Sequence, residues 1–277
     1  MVNARHYIVV VTGAGRGLGR EIVKQISSTF VSSSPNTRVE VVLVGRTKKS
    51  LEEVASEVQG ERVRGWVCDD VDLGASDLTR PIQRVENTLK EVQATIAGSE
   101  QKVSMVLVQN AGTLGDLSMK VEDYDYRLVD DYFRLNLTSF TLLCSMFIKL
   151  CKSAKCNETT IVNISSLLAI EAHPYWGLYA TGKAARDHLM KVIAKEEGPA
   201  VQTLSYAPGP LDNDMQAQVR NTLGDPEQKR IFTLMAESRT LVQLNDTAKK
   251  LANILLNSKF NSGSHVDFYD DLAQNAP

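Results

Sequence analysis

The sequence predicts an α/β protein built on a doubly wound parallel sheet with helices on both faces. Two observations carry that prediction. Short, wholly apolar, β-branched runs recur along the 277 residues, each followed by a longer stretch of helical character. Strands buried on both faces read in this way, as continuous apolar runs rather than alternating ones. The second observation is the placing of Gly13, Gly15, Gly17 and Gly19, which stand where the first run gives way to the first helix.

The elements follow in order. Residues 7–11 make the first strand and residues 18–29 the first helix, with polar residues 32–36 as a loop. Residues 39–44 form the second strand and 49–59 the second helix. The third strand is 63–67, closed by the acidic turn 68–72, and helix 78–96 leads to the fourth strand at 103–108. Helix 124–150, strand 160–164, helix 179–195 and strand 201–205 continue the alternation. No composition break, repeat or low-complexity linker interrupts it, so residues 1–277 read as one domain. Residues 212–239 leave the rhythm, being polar and helical in character after the turn Pro208-Gly209-Pro210. A segment at about 210–240, beside the carboxyl edge of the sheet, is expected to cap a substrate.

Composition narrows the chemistry. With 43% hydrophobic residues the chain builds a core without a metal or disulfide staple, and a net charge of −2 argues against a polyanion-binding face. Cys68, Cys144, Cys151 and Cys156 form no Cys-x-x-Cys pair and no zinc spacing, so free thiols in a reducing compartment and no metal site are expected. Residues 1–6 lack a long apolar segment and 7–11 is too short for a span, which makes the cytosol the expected location and membranes no partner. The sequons at Asn136 and Asn157 are then coincidental.

Glycines at a strand-to-helix junction allow a tight turn, close backbone approach to phosphate and close helix packing. The loop Gly13, Ala14, Gly15, Arg16, Gly17, Leu18 and Gly19 therefore reads as a Rossmann-type dinucleotide site, with a pyrophosphate at the helix N-terminus. The second strand ends Val44-Gly45-Arg46-Thr47 with no carboxylate for a ribose hydroxyl; Glu40 stands about 15–20 Å back along the strand. Arg46 and Arg16 instead suit a 2′-phosphate, which favours NADP(H) over NAD. Further along, Tyr179 and Lys183 are four apart, so on a helix they share a face, and Ser166 lies thirteen residues before the tyrosine. A phenol titrates near 10; the Lys183 cation is expected to move Tyr179 toward working pH, where general acid catalysis is efficient.

These motifs resemble, in order and spacing, those of the short-chain dehydrogenase/reductase family. The likeness covers nearly the whole chain: the glycine loop, Asp72-Leu73, Asn110-Ala111-Gly112, Asn136, Ser166, Tyr179-x-x-x-Lys183 and Pro208-Gly209. It implies that Tyr179 donates the proton to a carbonyl, that Lys183 holds the nicotinamide ribose, and that Ser166 binds the substrate oxygen. It implies further that Asn136 anchors a water relaying protons to Lys183, and that Arg46 and Thr47 meet the cofactor's ribose phosphate. Asp72 and Leu73 would line the adenine, and Asn110, Ala111, Gly112, Leu211, Asp212, Asn213, Asp214, Met215 and Gln216 the rest of the cofactor. Residues 163–166, 182–187, 206–212 and 264–269 are similar to the members that reduce the side-chain ketones of 6-acyl pterins, taking 6-pyruvoyl-tetrahydropterin to tetrahydrobiopterin. In those members a tail aspartate, here Asp267, pairs with the pterin's guanidine-like edge. Gly209 would leave room for the substrate, Trp176 and Met215 would wall its pocket, and His265 would be packing rather than chemistry. A homodimer through the helices after the fourth and fifth strands is implied as well. Two other readings stand beside this one: a family reductase of steroid, quinone or xenobiotic ketones, and a non-catalytic NADPH-sensing scaffold.

Overall fold

The computed structural model describes residues 5–97, 101–154, 156–257 and 260–271; the opening of segment 1–6 lies outside them. Its strands are β1 (Arg5–Thr12), β2 (Arg38–Val44), β3 (Val63–Cys68), β4 (Lys102–Gln109), β5 (Glu158–Ile164), β6 (Val201–Ala207) and β7 (Ser264–Asp267). They form one parallel sheet in the order β3-β2-β1-β4-β5-β6-β7. From β1 the chain first builds outward through β2 and β3, then returns to add β4 on the other side. The crevice outside the carboxyl ends of β1 and β4 is therefore the topological switch point, where such sheets bind ligands.

The helices are α1 (Gly17–Ser32), α2 (Lys48–Val58), α3 (Thr79–Thr95), α4 (Tyr126–Phe133), α5 (Ser139–Ser153), α6 (Gly177–Glu197), α7 (Asp214–Thr222), α8 (Pro226–Glu237) and α9 (Leu244–Asn257). They cover two separate cores, because side chains alternate along each strand. Tyr7, Val9 and Val11 of β1 pack with Ile22, Val23 and Ile26 of α1 and Leu251 of α9. Ile8 and Val10 pack on the opposite face with Leu89 of α3, Phe147 of α5 and Met190 of α6. Each such fully buried side chain contributes about 1.5–3 kcal/mol relative to exposure.

Three features depart from the sequence expectation. The sheet has a seventh strand, and α9 precedes it; β7 is only four residues long and contains His265 and Asp267, so no apolar run marks it. The helix expected over 124–150 is instead α4, a π-helical turn at Arg134–Thr138, and α5. Helix α1 also continues through Ser32, carrying it into the segment read as loop. Residues 212–239 hold α7 and α8, whose Val219 and Phe232 pack with Leu114, Leu117 and Trp176 above the sheet edge.

Candidate active site

The strand register brings the glycine loop, the end of β4 and the start of α6 to one edge of the sheet. Thr12 ends β1 opposite Val44, and its hydroxyl accepts from the amides of Asn110 and Ala111, both at 3.0 Å. Asn110 Nδ2 donates to the carbonyls of Thr12 at 3.0 Å and Gly13 at 3.3 Å, so the β4 turn is tied to the loop. Thr12 thus ties the end of β1 to the turn after β4.

Two of the loop's glycines are required by the backbone. Gly13 has φ +67°, and its amide bonds Val44 O at 2.9 Å. A Cβ on Gly19 would lie 2.1 Å from Gly13 O, so α1 packs onto the loop only because no side chain is there. Arg16 precedes α1 in extended conformation without a side-chain cap, and no acid occupies the first turn. The helix therefore presents its amides and positive end to whatever enters the loop. This cradle fits a dinucleotide pyrophosphate. A second fitting feature is Gln216, buried on α7, whose Nε2 has no protein partner while its Oε1 accepts from Arg220 at 2.6 Å.

The charge pattern at the end of β2 matches the expectation. Glu40 sits beside Ile8, away from the loop, and accepts from Trp66 Nε1 at 2.7 Å. Arg46 and Thr47 are exposed at the start of α2, and Arg46 has no ion-pair partner among the described residues. Arg16 lies only 3.5 Å from Asp214, an exposed and hence weak pair that joins two of the expected cofactor residues. Asp72 closes a turn by accepting from the Gly74 amide at 3.0 Å, with Leu73 buried beside it. Leu211 bridges to Val242, Asp212 N donates to Val242 O at 3.0 Å, and Asn213 caps α7 by accepting from the Gln216 amide at 2.9 Å.

Along α6, Tyr179 and Lys183 share a face as their spacing requires, with Lys183 Nζ 5.5 Å from the centre of the tyrosine ring. Ser166 follows β5 and receives the Leu168 amide on its hydroxyl at 3.2 Å. Trp176 packs 5.5 Å from the Tyr179 ring and donates to Gln228 of α8 at 2.9 Å, tying the covering helices to the site. Lys183 is buried and donates to Ile164 O at 2.5 Å.

The expectation that Lys183 acidifies Tyr179 is corrected here. Burial holds the Tyr179 phenol above its ordinary value, opposed by the Ser166 hydrogen bond and by the Arg186 cation. Burial, then Arg186, pull Lys183 down to about 7. Both groups are desolvated together, and that decides the sign. Asn136 is held from several sides. Its Oδ1 accepts from the Thr113 amide at 3.0 Å, its Nδ2 donates to Tyr132 O at 3.0 Å, and its main-chain carbonyl, set in the π turn, receives Arg186 Nε. The amide is thus locked into the site wall, with Gly112 so close that a Cβ there would lie 2.9 Å from Asn136 Oδ1.

At the far end of the edge, Asp267 pairs with Ala207, half-buried, its Oδ1 accepting the Tyr269 amide at 2.9 Å. Gly209 has φ +79°, and Val242 would lie 2.9 Å from a Cβ there. The turn and its protein neighbour, rather than open space for a ligand, require that glycine. Met215 stands exposed on α7. The sequence reading missed two partners. His265 Nδ1 meets Asp187 Oδ2 at 2.6 Å, pinning β7 to α6, and Arg186 lies buried beyond Lys183. The run 182–187 contained both acidic and basic members, but nothing in it distinguished buried from solvated charges.

Comparison with known proteins places this geometry. The sequence profile described as short chain dehydrogenase matches residues 7–224. Sepiapterin reductase of Meriones unguiculatus is 39% identical over 269 residues, covering 95% of this chain and 97% of that protein. The (S)-benzoin-forming benzil reductase of Bacillus cereus is 28% identical over 266 residues, covering 93% of this chain and 97% of that protein. Among solved structures, the KRED1-Pglu enzyme superposes with a TM-score of 0.75 at 26% identity, covering 94% of this chain and 100% of that one. The chain belongs to the short-chain dehydrogenase family and is an oxidoreductase acting on CH–OH and C=O groups.

Proposed function

We propose that the chain is an NADPH-dependent reductase of the side-chain ketones of 6-acyl pterins, including 6-pyruvoyl-tetrahydropterin and sepiapterin. The observation that carries the proposal is that Tyr179 and Lys183 share a face of α6, to which the Asp187–His265 contact pins the short strand β7 that holds Asp267. The glycine loop and the N-terminus of α1 would hold the dinucleotide, whose reduced nicotinamide would supply hydride when bound. Tyr179 donates its proton to the carbonyl oxygen, and a phenol held above its ordinary value stays protonated through neutral pH, which suits the reductive direction. Ser166 holds that same oxygen as charge develops on it. Asp267 Oδ2 would accept from the guanidine-like edge of a pterin, Oδ1 being engaged with the Tyr269 amide. The test is NADPH oxidation, followed by absorbance, with sepiapterin set beside simple ketones and diketones. Turnover of the ketones alone would overturn the pterin reading. A second reading, a reductase of larger apolar ketones, is favoured by Ile231 and Leu234, which α8 exposes, and the same panel decides it.

Asp267→Asn is expected to raise KM for sepiapterin about 10–100-fold, the cost of one charge-assisted pair, while small diketones keep wild-type kinetics. Unchanged pterin kinetics would remove the anchor. Arg46→Ala is expected to weaken NADPH binding about 10–100-fold on the same grounds and NADH hardly at all; equal losses measured by cofactor fluorescence would show that Arg46 does not read the phosphate. We further propose a cytosolic homodimer through the helices that follow β4 and β5, where α5 exposes Leu142 and α6 exposes Val192. A monomer on sizing would end that proposal.

A further inference from the structure

Arg186 is 1% exposed, yet it pairs with no carboxylate among the described residues. It follows Tyr179 by seven residues and Lys183 by three on α6, so the three form one stripe. Its Nε donates to Asn136 O, its Nη2 to Ala111 O at 3.2 Å, and its guanidinium lies 4.7 Å from the centre of the Phe140 ring. Nη1 is buried without a partner. The adjacent Asp187 offers no neutralisation at hydrogen-bond range, because its oxygens are taken by Asn163 at 2.8 Å, Ser165 at 2.6 Å and His265 at 2.6 Å. A buried charge without a counter-charge is expensive, and an apolar side chain of similar size packs more favourably. Its presence behind the reacting face calls for a role.

We propose that Arg186 is a positioning residue of the carbonyl reaction, its cation setting the potential around Tyr179 while its Nε and Nη2 brace the Asn136 and Ala111 carbonyls. The proposal rests on Tyr179 being the proton donor. Five titratable groups face the guanidinium: Tyr132 of α4, Cys144 of α5, and Tyr179, Lys183 and Asp187 of α6. Ser166 faces Tyr179 from the end of β5. Burial lowers Arg186 itself only to about 10, so it keeps its charge at neutral pH, whereas Lys183 at about 7 does not keep all of its own. The cation that steadily favours Tyr179 giving up its proton is therefore Arg186. It also opposes charge on Lys183.

The test uses the full chain with NADPH and a small diketone, and compares wild type, Arg186→Met, Arg186→Lys and Tyr179→Phe. Arg186→Met is expected to move the alkaline limb of the reduction profile up by about one pH unit, as loss of a nearby cation does, while Arg186→Lys leaves it in place. In the protein without cofactor, the Lys183 resonance of ¹³C-labelled lysine, assigned by its loss in Lys183→Arg, is expected to titrate higher in Arg186→Met than in wild type. Where Arg186→Met does not fold by circular dichroism, Arg186→Gln, which retains a donor for Asn136, carries both readouts. A folded charge-free variant with the wild-type limb and the wild-type Lys183 titration would overturn the proposal. Full turnover by Tyr179→Phe would instead overturn the reading of the tyrosine beneath it, and the two failures are distinct.

Discussion

Tyr179→Phe is expected to lower kcat for ketone reduction by about 10²–10⁴-fold, the range that a positioned proton donor contributes, while NADPH binds as in wild type. The substitution removes one oxygen. The ring keeps its contact with Trp176, whose own indole remains bonded to Gln228, so the covering helices stay anchored. Ser166 retains the Leu168 amide on its hydroxyl. The cofactor cradle lies on β1 and α1, apart from the missing oxygen. Turnover and cofactor affinity should therefore separate: kcat collapses, and the dissociation constant from NADPH fluorescence remains within about twofold, since no bond of the cradle is touched. A variant that turns over within tenfold of wild type would mean that water or another group delivers the proton.

What the sequence made legible is what depends on local spacing. The apolar run of β1, the glycines after it and the i, i+4 pair on α6 are short-range signals, and their structures follow from period and backbone sterics. What stayed hidden depends on burial and on partners far away in the chain. Arg186 reaches Asn136 and Ala111 across 50 and 75 residues, and His265 meets Asp187 across 78. Neither contact has any periodic trace. The sign of the Tyr179 shift was hidden for a related reason: burial raises the phenol against the pull of nearby cations, and burial is not visible in the spacing. Gly209 shows a subtler case. The turn at Pro208-Gly209-Pro210 was legible, but the positive φ of its glycine and the closeness of Val242 were not. Helix α9 was different, since its buried Ala248, Leu251, Ala252 and Ile254 carry the helical period and the signal was present to be read.

The glycine loop yields the second large expectation. In Gly19→Ala the new methyl group would lie 2.1 Å from Gly13 O, 2.6 Å from Asn110 Nδ2 and 2.9 Å from Gly13 C. None of these can yield cheaply. Gly13 is held by its bond to Val44 and by its positive φ, and Asn110 is fixed by its bonds to Thr12 and Gly13. The relief is for α1 to move off the loop, which pulls its N-terminal amides from the place where a pyrophosphate would rest. Overpacking of this kind costs about 1–3 kcal/mol, and at this chain length each kcal/mol lowers Tm by about 2–4 °C. Binding suffers more, because several donors lose their aim together; a loss of NADPH affinity of about 100-fold or more is expected, equivalent to two or more hydrogen bonds. Gly17→Ala is the matched control. A Cβ there meets nothing within 4 Å, and only its φ of +54° resists the change. It should cost about 1–2 kcal/mol of backbone strain and leave the loop on the helix. Wild-type NADPH affinity in Gly19→Ala, with the stability loss present, would show that the dinucleotide is held somewhere other than this junction.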